Sequence, residues 1–354
     1  MQIQNELLDA NPNIQFCEQE VNLGIDKDKL LQRTISIEKT DEILERINQK
    51  LTQTGLSATA INTYLSCPLK FYFRYIANHQ KPLEVVESLD AQRLGTILHE
   101  VLKLIYEPKK NEPLTSDFLN AQIKQLPTLI SQALDQHYQH GDTSAGKNLL
   151  IKTISQTYLE NFLKNEIINC KNLIINDLEQ DLSIPEYSFL NEYDVSQSIK
   201  LTGKVDRIDT YMGQKRIIDY KTGSFQQSDI TIKSIKEAFE PEQTKEKAVQ
   251  LLFYALLYKY QHGNGFGGLL SSIYSFRKNK PSTDDEAENR YFCLEVGSER
   301  NGKKQTIDHN MLDEFETELK QLIKQIYNAT HPFVQTKDLK SCKYCDFSDV
   351  CNRS

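Results

Sequence analysis

Residues Gly203 to Gly223, GKVDRIDTYMGQKRIIDYKTG, constrain this chain more than any other stretch. Val205, Ile208, Ile217 and Ile218 supply the apolar, β-branched content of two strands. Met212, Gly213 and Gln214 fall between them, and the glycine tolerates the positive φ of a tight turn. Acidic residues stand where strand interiors are ordinarily apolar: Asp206 on the first strand and Asp219 on the second. Side chains alternate faces along a strand, so Asp219 and Lys221 point the same way. An Asp-x-Lys pair facing a second aspartate across a hairpin has the composition of a site for a hard divalent cation, with an ammonium beside it. Taken alone, the triplet fits an ordinary ion pair between Asp219 and Lys221 better still.

The 354 residues suffice for one large domain or two ordinary ones. Hydrophobic content of 39% and charged content of 26% fit a soluble globular protein. No apolar run approaches the ~18 residues of a membrane span. The opening MQIQNELLDANPN lacks the basic-then-apolar order of a signal peptide. The expectation is a cytoplasmic protein with no membrane partner. A formal charge of -7 argues against a surface coated in nucleic acid but permits a local basic groove. Seven cysteines in a reducing compartment are not a disulfide framework. Cys17, Cys170 and Cys293 are isolated, Cys342, Cys345 and Cys351 crowd the C-terminus, and Cys67 precedes a proline.

Residues 1–55 are polar, with short helical patterns such as Thr40 to Leu51, and read as an N-terminal segment or linker. Residues 56–354 read as one domain. Ser57 suits an N-cap, and Ile61, Tyr64 and Leu65 share a helical face. Cys67-Pro68 interrupts that helix, and the proline can open another. The aromatic cluster from Leu69 to Ile76 reads as core. Asp90 to Tyr106 form an amphipathic helix whose apolar side includes Leu94, Ile97, Leu98 and Val101. His99 sits among them and is by itself ordinary. Further helices are expected over about 107–182. Within them GDTSAGKN nearly matches a phosphate-binding loop, but Asn148 stands where a hydroxyl is needed and no buried strand precedes it.

Strand-like periodicity is read from Ile184, with Tyr187, Phe189, Tyr193 and Val195 marking a first strand ahead of the hairpin. A mobile-looking Lys/Glu-rich stretch, Ser228 to Lys247, leads to an apolar helix over about 245–260, on which Gln250 and Tyr254 share a face. The glycines of HGNGFGG follow a helix and precede a strand, the wrong order for a dinucleotide site. Strands near 268–276 and 290–296 and a helix near 310–327 complete the prediction.

GKVDRID followed by IIDYKTG resembles the core of the PD-(D/E)XK nuclease superfamily, and more narrowly its RecB-like branch. That branch includes AddB-type helicase–nuclease subunits and the CRISPR-adaptation exonucleases. LSCPLKFYFRYI, GTILHEVL, QLLFYALLY and the terminal CKYCDFSDVC match in the same order, so the resemblance covers Ser57 to Cys351. Val205 precedes Asp206, so the "PD" is not literal, an ordinary departure in this branch. The resemblance implies an α/β fold: a restriction-endonuclease-like core with a central mixed sheet flanked by helices and a helical insertion. It implies Mg²⁺ or Mn²⁺ held by Asp206, Asp219, the Tyr220 carbonyl and the His99 imidazole. Such an ion polarises the phosphate and acidifies a water. Lys221 would be the catalytic lysine, orienting that water and stabilising transition-state charge. Gln250 and Tyr254 would line the active site and position DNA or Lys221.

Cys342, Cys345 and Cys351 have the spacing C-x2-C-x5-C, and Cys67 would be the fourth ligand. Thiolates suit either zinc or iron–sulfur, and spacing does not choose between them. The resemblance favours a [4Fe–4S] cluster stapling residues 342–351 to Cys67. By analogy with disulfide loop entropy, closing so long a loop is worth about 5 kcal/mol. The implied function is hydrolysis of single-stranded DNA or DNA ends. The chain would be the nuclease module of an AddB/RecB-like helicase–nuclease in double-strand-break repair and recombination. No convincing ATP-binding motif is present, so unwinding would fall to an upstream region or a helicase partner. The alternatives are a stand-alone CRISPR-type exonuclease, an inactive DNA-binding scaffold and a zinc-bound structural protein.

Overall fold

Ile217 joins one apolar cluster, whereas Ile218 and Tyr220 join another. A strand buried on both faces needs two covering layers. Both are present in the computed structural model, which describes residues 34–79, 91–137, 146–191, 193–241, 245–278, 291–297 and 305–353.

Five strands build the central sheet: β1 (Leu173–Leu190), β2 (Ser196–Tyr211), β3 (Gln214–Lys221), β4 (Leu270–Ser275) and β5 (Tyr291–Cys293). They lie side by side in chain order. β1, β2 and β3 form an antiparallel meander, β3 and β4 are parallel, and β5 is antiparallel to β4. The β2–β3 turn is closed by the pair Tyr211 and Gln214. Its two residues, Met212 and Gly213, both have positive φ, of 49° and 83°. That is the hairpin geometry matched to strand twist.

Seven principal helices flank the sheet: α1 (Asp41–Gln53), α2 (Ala58–Ser66), α3 (Ala91–Tyr106), α4 (Ser116–His137), α5 (Gly146–Asn169), α6 (Glu246–His262) and α7 (His309–Tyr327). Side chains of Thr40, Ser57 and Asp308 cap α1, α2 and α7 by accepting first-turn N–H bonds. α6 lies in the crossover that a parallel β3–β4 pair requires. Ile47, Ile61, Leu252 and Leu319, from α1, α2, α6 and α7, cluster with Ile217 and Ile273 on one face. Ile97, Leu126 and Phe162, from α3 to α5, cluster with Ile218 and Tyr274 on the other. The expected mixed sheet flanked by helices is therefore what the chain forms.

Three readings of the sequence need correction. The helical insertion ends at Asn169, and residues 173–182 belong to β1. Their period-two pattern is broken by a register shift between Ile175 and Asp177, which hides it in the sequence. Tyr193 and Val195 are exposed and lie between β1 and β2 rather than inside a strand. Residues 34–55 are not a linker. Ile47 and Leu51 are fully buried, and Ser36–Ile37 pairs with Phe333–Val334. Within Ser228–Lys247, short 3₁₀ turns at Gln227–Ile230 and Lys236–Phe239 flank the strand Thr231–Ile232, which pairs with Glu295–Val296. Residues 1–33, with Cys17, and most of GDTSAGKN lie outside the described residues.

Leu51→Ala should therefore lower unfolding stability by about 2–5 kcal/mol, as for other core leucines. Urea denaturation checks this, because a detachable linker would show no change.

Candidate active site

The two strands of the hairpin pair regularly only as far as Arg207 and Ile218. One residue beyond, a side chain replaces the backbone partner: Asp206 Oδ2 accepts the Tyr220 N–H at 2.7 Å. Next to Tyr220, Asp219 is only 3% exposed and reaches toward α6. Lys221 Nζ stands 2.8 Å from Asp219 Oδ2 and donates to Gln250 Oε1 at 3.2 Å. Gln250 Nε2 in turn donates to Asp219 Oδ1 at 3.1 Å and to the Tyr254 hydroxyl at 2.8 Å. One amide thus holds both members of the Asp-x-Lys pair in register. α6 can approach this closely because β2 has glycine at 203. A Cβ there would lie 2.9 Å from Leu257 Cδ1 and 3.0 Å from Tyr254 Cε1.

Burial by itself would lower the Lys221 pKa, but the Asp219 charge and hydrogen bond outweigh it and raise it. The lysine is then an ammonium at neutral pH, a donor rather than a base. Asp219 Oδ2 is buried and receives no well-formed hydrogen bond among the described residues, despite the lysine contact. An acceptor in that state has capacity for a cation.

A second set of donors meets Asp206. His99 comes from α3, and its Nδ1 lies 3.1 Å from Glu179 Oε1 and 3.6 Å from Asp206 Oδ1. One donor atom from each of His99, Glu179 and Asp206 can be chosen so that all three lie within 4.8 Å of one another. Glu179 Oε2 is paired with Lys204 Nζ at 2.8 Å. Burial raises the Asp206 pKa and the Asp219 charge adds to it, with His99 opposing. Burial lowers His99, but the Glu179 hydrogen bond and the Asp206 charge more than compensate. Crowded carboxylates that resist ionising together are relieved by a divalent cation, and carboxylate oxygens are the ligands hard cations prefer. The donor set fits such an ion.

The structure thus gathers His99, Asp206, Asp219, Lys221, Gln250 and Tyr254 around the end of the hairpin. The Tyr220 backbone lies among them, while its ring turns to the opposite face against Phe162 at 5.8 Å. Sequence reasoning misses Glu179. Its signal is an acidic residue inside DLEQDL, but the sequence pattern places that segment in a helix.

The profile of the PD-(D/E)XK nuclease superfamily matches residues 55–352. The chain belongs to this superfamily. It is also 28% identical over 261 residues to one subunit of an ATP-dependent helicase/deoxyribonuclease from Carboxydothermus hydrogenoformans. The alignment covers 67% of this chain but only 22% of that relative. A solved structure titled "Crystal structure of SSO0001" aligns over 80% of this chain and 94% of its own, at 14% identity. Its TM-score is 0.25, too low a likeness to argue from.

Behind the nuclease site lies a buried layer of charge. Arg207 is fully buried, donating to Asp209 Oδ2 at 2.7 Å and Glu166 Oε2 at 2.9 Å, with the Tyr106 ring 5.4 Å away. Arg216 donates to the other Asp209 oxygen at 2.7 Å, and the Tyr291 hydroxyl bonds Glu166. Every ion here has partners, which is the condition for burying it. The network tethers β2 to α5 one residue from Asp206.

The four cysteines of the expected cluster motif also come together. Cys67, Cys342, Cys345 and Cys351 line one small cavity, with Gln335 and Arg353 beside them. Burial pushes the Cys351 thiol up, and the sulfurs of Cys67, Cys345 and Cys342 add to this. Thiols that disfavour one another's ionisation fit a cationic metal group. Cys170 and Cys293 are free and lie outside this cavity. Among the described residues, no helix is long and apolar enough to cross a membrane.

Arg207→Met should destabilise the domain by about 3–5 kcal/mol, since Glu166 and Asp209 lose a buried counter-charge. Chemical denaturation measures it, and a change under about 1 kcal/mol would contradict the network's role.

Proposed function

We propose that this chain is a divalent-metal-dependent deoxyribonuclease acting on single strands or ends of DNA. The observation that carries this is the single hydrogen-bonded chain from Tyr254 through Gln250 to Asp219 and Lys221, set beside Asp206 and His99. Asp206, Asp219, His99 and the Tyr220 carbonyl would hold Mg²⁺ or Mn²⁺. When bound, the ion supplies Lewis-acid polarisation of the scissile phosphate and acidifies a water. Lys221, kept protonated by Asp219, orients the attacking water and places positive charge where the phosphorane-like oxygens gain negative charge. Gln250 holds Lys221 and Asp219 at fixed separation, so neither rearranges as charge develops. Tyr254 fixes the other side of the Gln250 amide.

The likeness to a helicase/deoxyribonuclease subunit supports a place as the nuclease module of an AddB-type helicase–nuclease in break repair and recombination. Unwinding would be the work of a partner or of a region upstream. The four cysteines would hold a [4Fe–4S] cluster that joins the end of α2 to the chain's C-terminal segment. Their spacing supports it over zinc. Tetrahedral zinc with bonds near 2.3 Å sets its sulfurs about 3.8 Å apart. Among the described residues, no three of these sulfurs lie within 4.8 Å of one another.

Labelled single- and double-stranded DNA incubated with Mg²⁺ or Mn²⁺ tests the enzymatic reading. Wild type should cleave, and Asp219→Ala and Lys221→Ala should each slow cleavage about 10²-fold or more. An inactive, correctly folded wild type, or activity untouched by both substitutions, points to a DNA-binding scaffold instead. For the cluster, anaerobically purified Cys351→Ala should lose iron–sulfur absorption and unfold at lower temperature than wild type. A stable, colourless, zinc-containing wild type would sink the iron–sulfur reading.

A further inference from the structure

We propose that Glu179 supplies a further oxygen to the divalent-cation site, with Lys204 holding its second oxygen in place. The proposal rests on the nuclease reading above and adds a ligand from β1. Glu179 stands beside Asp206 where the β1–β2 ladder is irregular: Leu178 pairs with Arg207 and Gln180 with Val205. Glu179 has φ of +48°, a left-handed conformation unusual for a non-glycine residue inside a strand. The face alternation inverts there. Leu178 and Leu182, four apart, fall in opposite apolar clusters, whereas Val205 and Ile208, three apart, share one. A regular ladder would do the reverse. The inversion frees Glu179 and Asp206 from the apolar alternation and lets both reach His99.

The spacing of the donors then points to coordination. Glu179 Oε1 and Asp206 Oδ1 lie 3.1 Å and 3.6 Å from His99 Nδ1. Neighbouring ligands around a six-coordinate ion with bonds of about 2.1 Å stand about 3 Å apart. Three donors at such separations converge on one point. The 2.8 Å pairing of Glu179 Oε2 with Lys204 leaves Oε1 as the oxygen that faces the site.

Mn²⁺ titration of metal-free protein, read as free-ion electron paramagnetic resonance signal, tests this without relying on catalysis. Glu179→Gln removes the charge. Glu179→Asp keeps the charge but withdraws the oxygen by one methylene. Both should weaken Mn²⁺ binding about tenfold or more, with thermal unfolding of the metal-free proteins confirming that each is folded. Glu179→Gln should weaken binding further in a His99→Ala background. Loss of that additional effect would mean that Glu179 acts only by orienting His99, and overturns the proposal. Wild-type affinity in both Glu179 variants also overturns it, provided Asp206→Asn binds weakly. If Asp206→Asn and Asp219→Asn bind Mn²⁺ like wild type as well, it is the metal-site reading itself that fails.

Discussion

The candidate site depends on a sheet that stops being regular at one place. From Tyr211 back to Arg207, β2 pairs conventionally with β3. At Asp206 the backbone ladder gives way to a carboxylate that takes the Tyr220 N–H at 2.7 Å. A buried amide still has its acceptor, so the interruption leaves no unpaired donor. It converts a structural hydrogen bond into one that positions an anionic side chain. On the other side of β2, Glu179 lies at the same irregularity with a left-handed backbone. Without this break, the alternation of strand side chains would send at least one of these carboxylates into an apolar layer.

Such a site concentrates negative charge in a half-buried place, and its surroundings offset that cost. Lys221 and Lys204 each pair with one carboxylate, and His99 lies between two. None of these contacts gives Asp219 a full set of hydrogen bonds. On the opposite face, Arg207, Arg216, Asp209 and Glu166 form a closed network with every charge matched. The contrast is physical. One face of the same strands carries balanced ions that rigidify the sheet, and the other carries carboxylates left with capacity for a cation.

Most of the site was legible in the sequence because its members sit in patterns that ordinary packing does not produce. Asp206 and Asp219 are acidic residues inside apolar strands, and Gln250 and Tyr254 share a face of a helix otherwise buried. Glu179 carried the same kind of signal but was lost, because the bulge after Ile175 breaks the two-residue period by which a strand is recognised. The polar look of residues 34–55 misled for a related reason. Composition averages over a segment, whereas Ile47 and Leu51 need only one helical stripe to join the core.

By itself the sequence determined most of the element types, the turn at Met212 and Gly213, and the residues capable of chemistry. These follow from local periodicity, from backbone freedom at glycine and from the known preferences of side chains. Only the tertiary structure decided which of them meet. It brought His99 from α3 and Glu179 from β1 to Asp206, and drew Cys67 to three cysteines some 280 positions later in the chain. Those meetings depend on strand register and helix packing, which are long-range quantities. A shift of one residue in the β1–β2 register would have turned Glu179 to the other face.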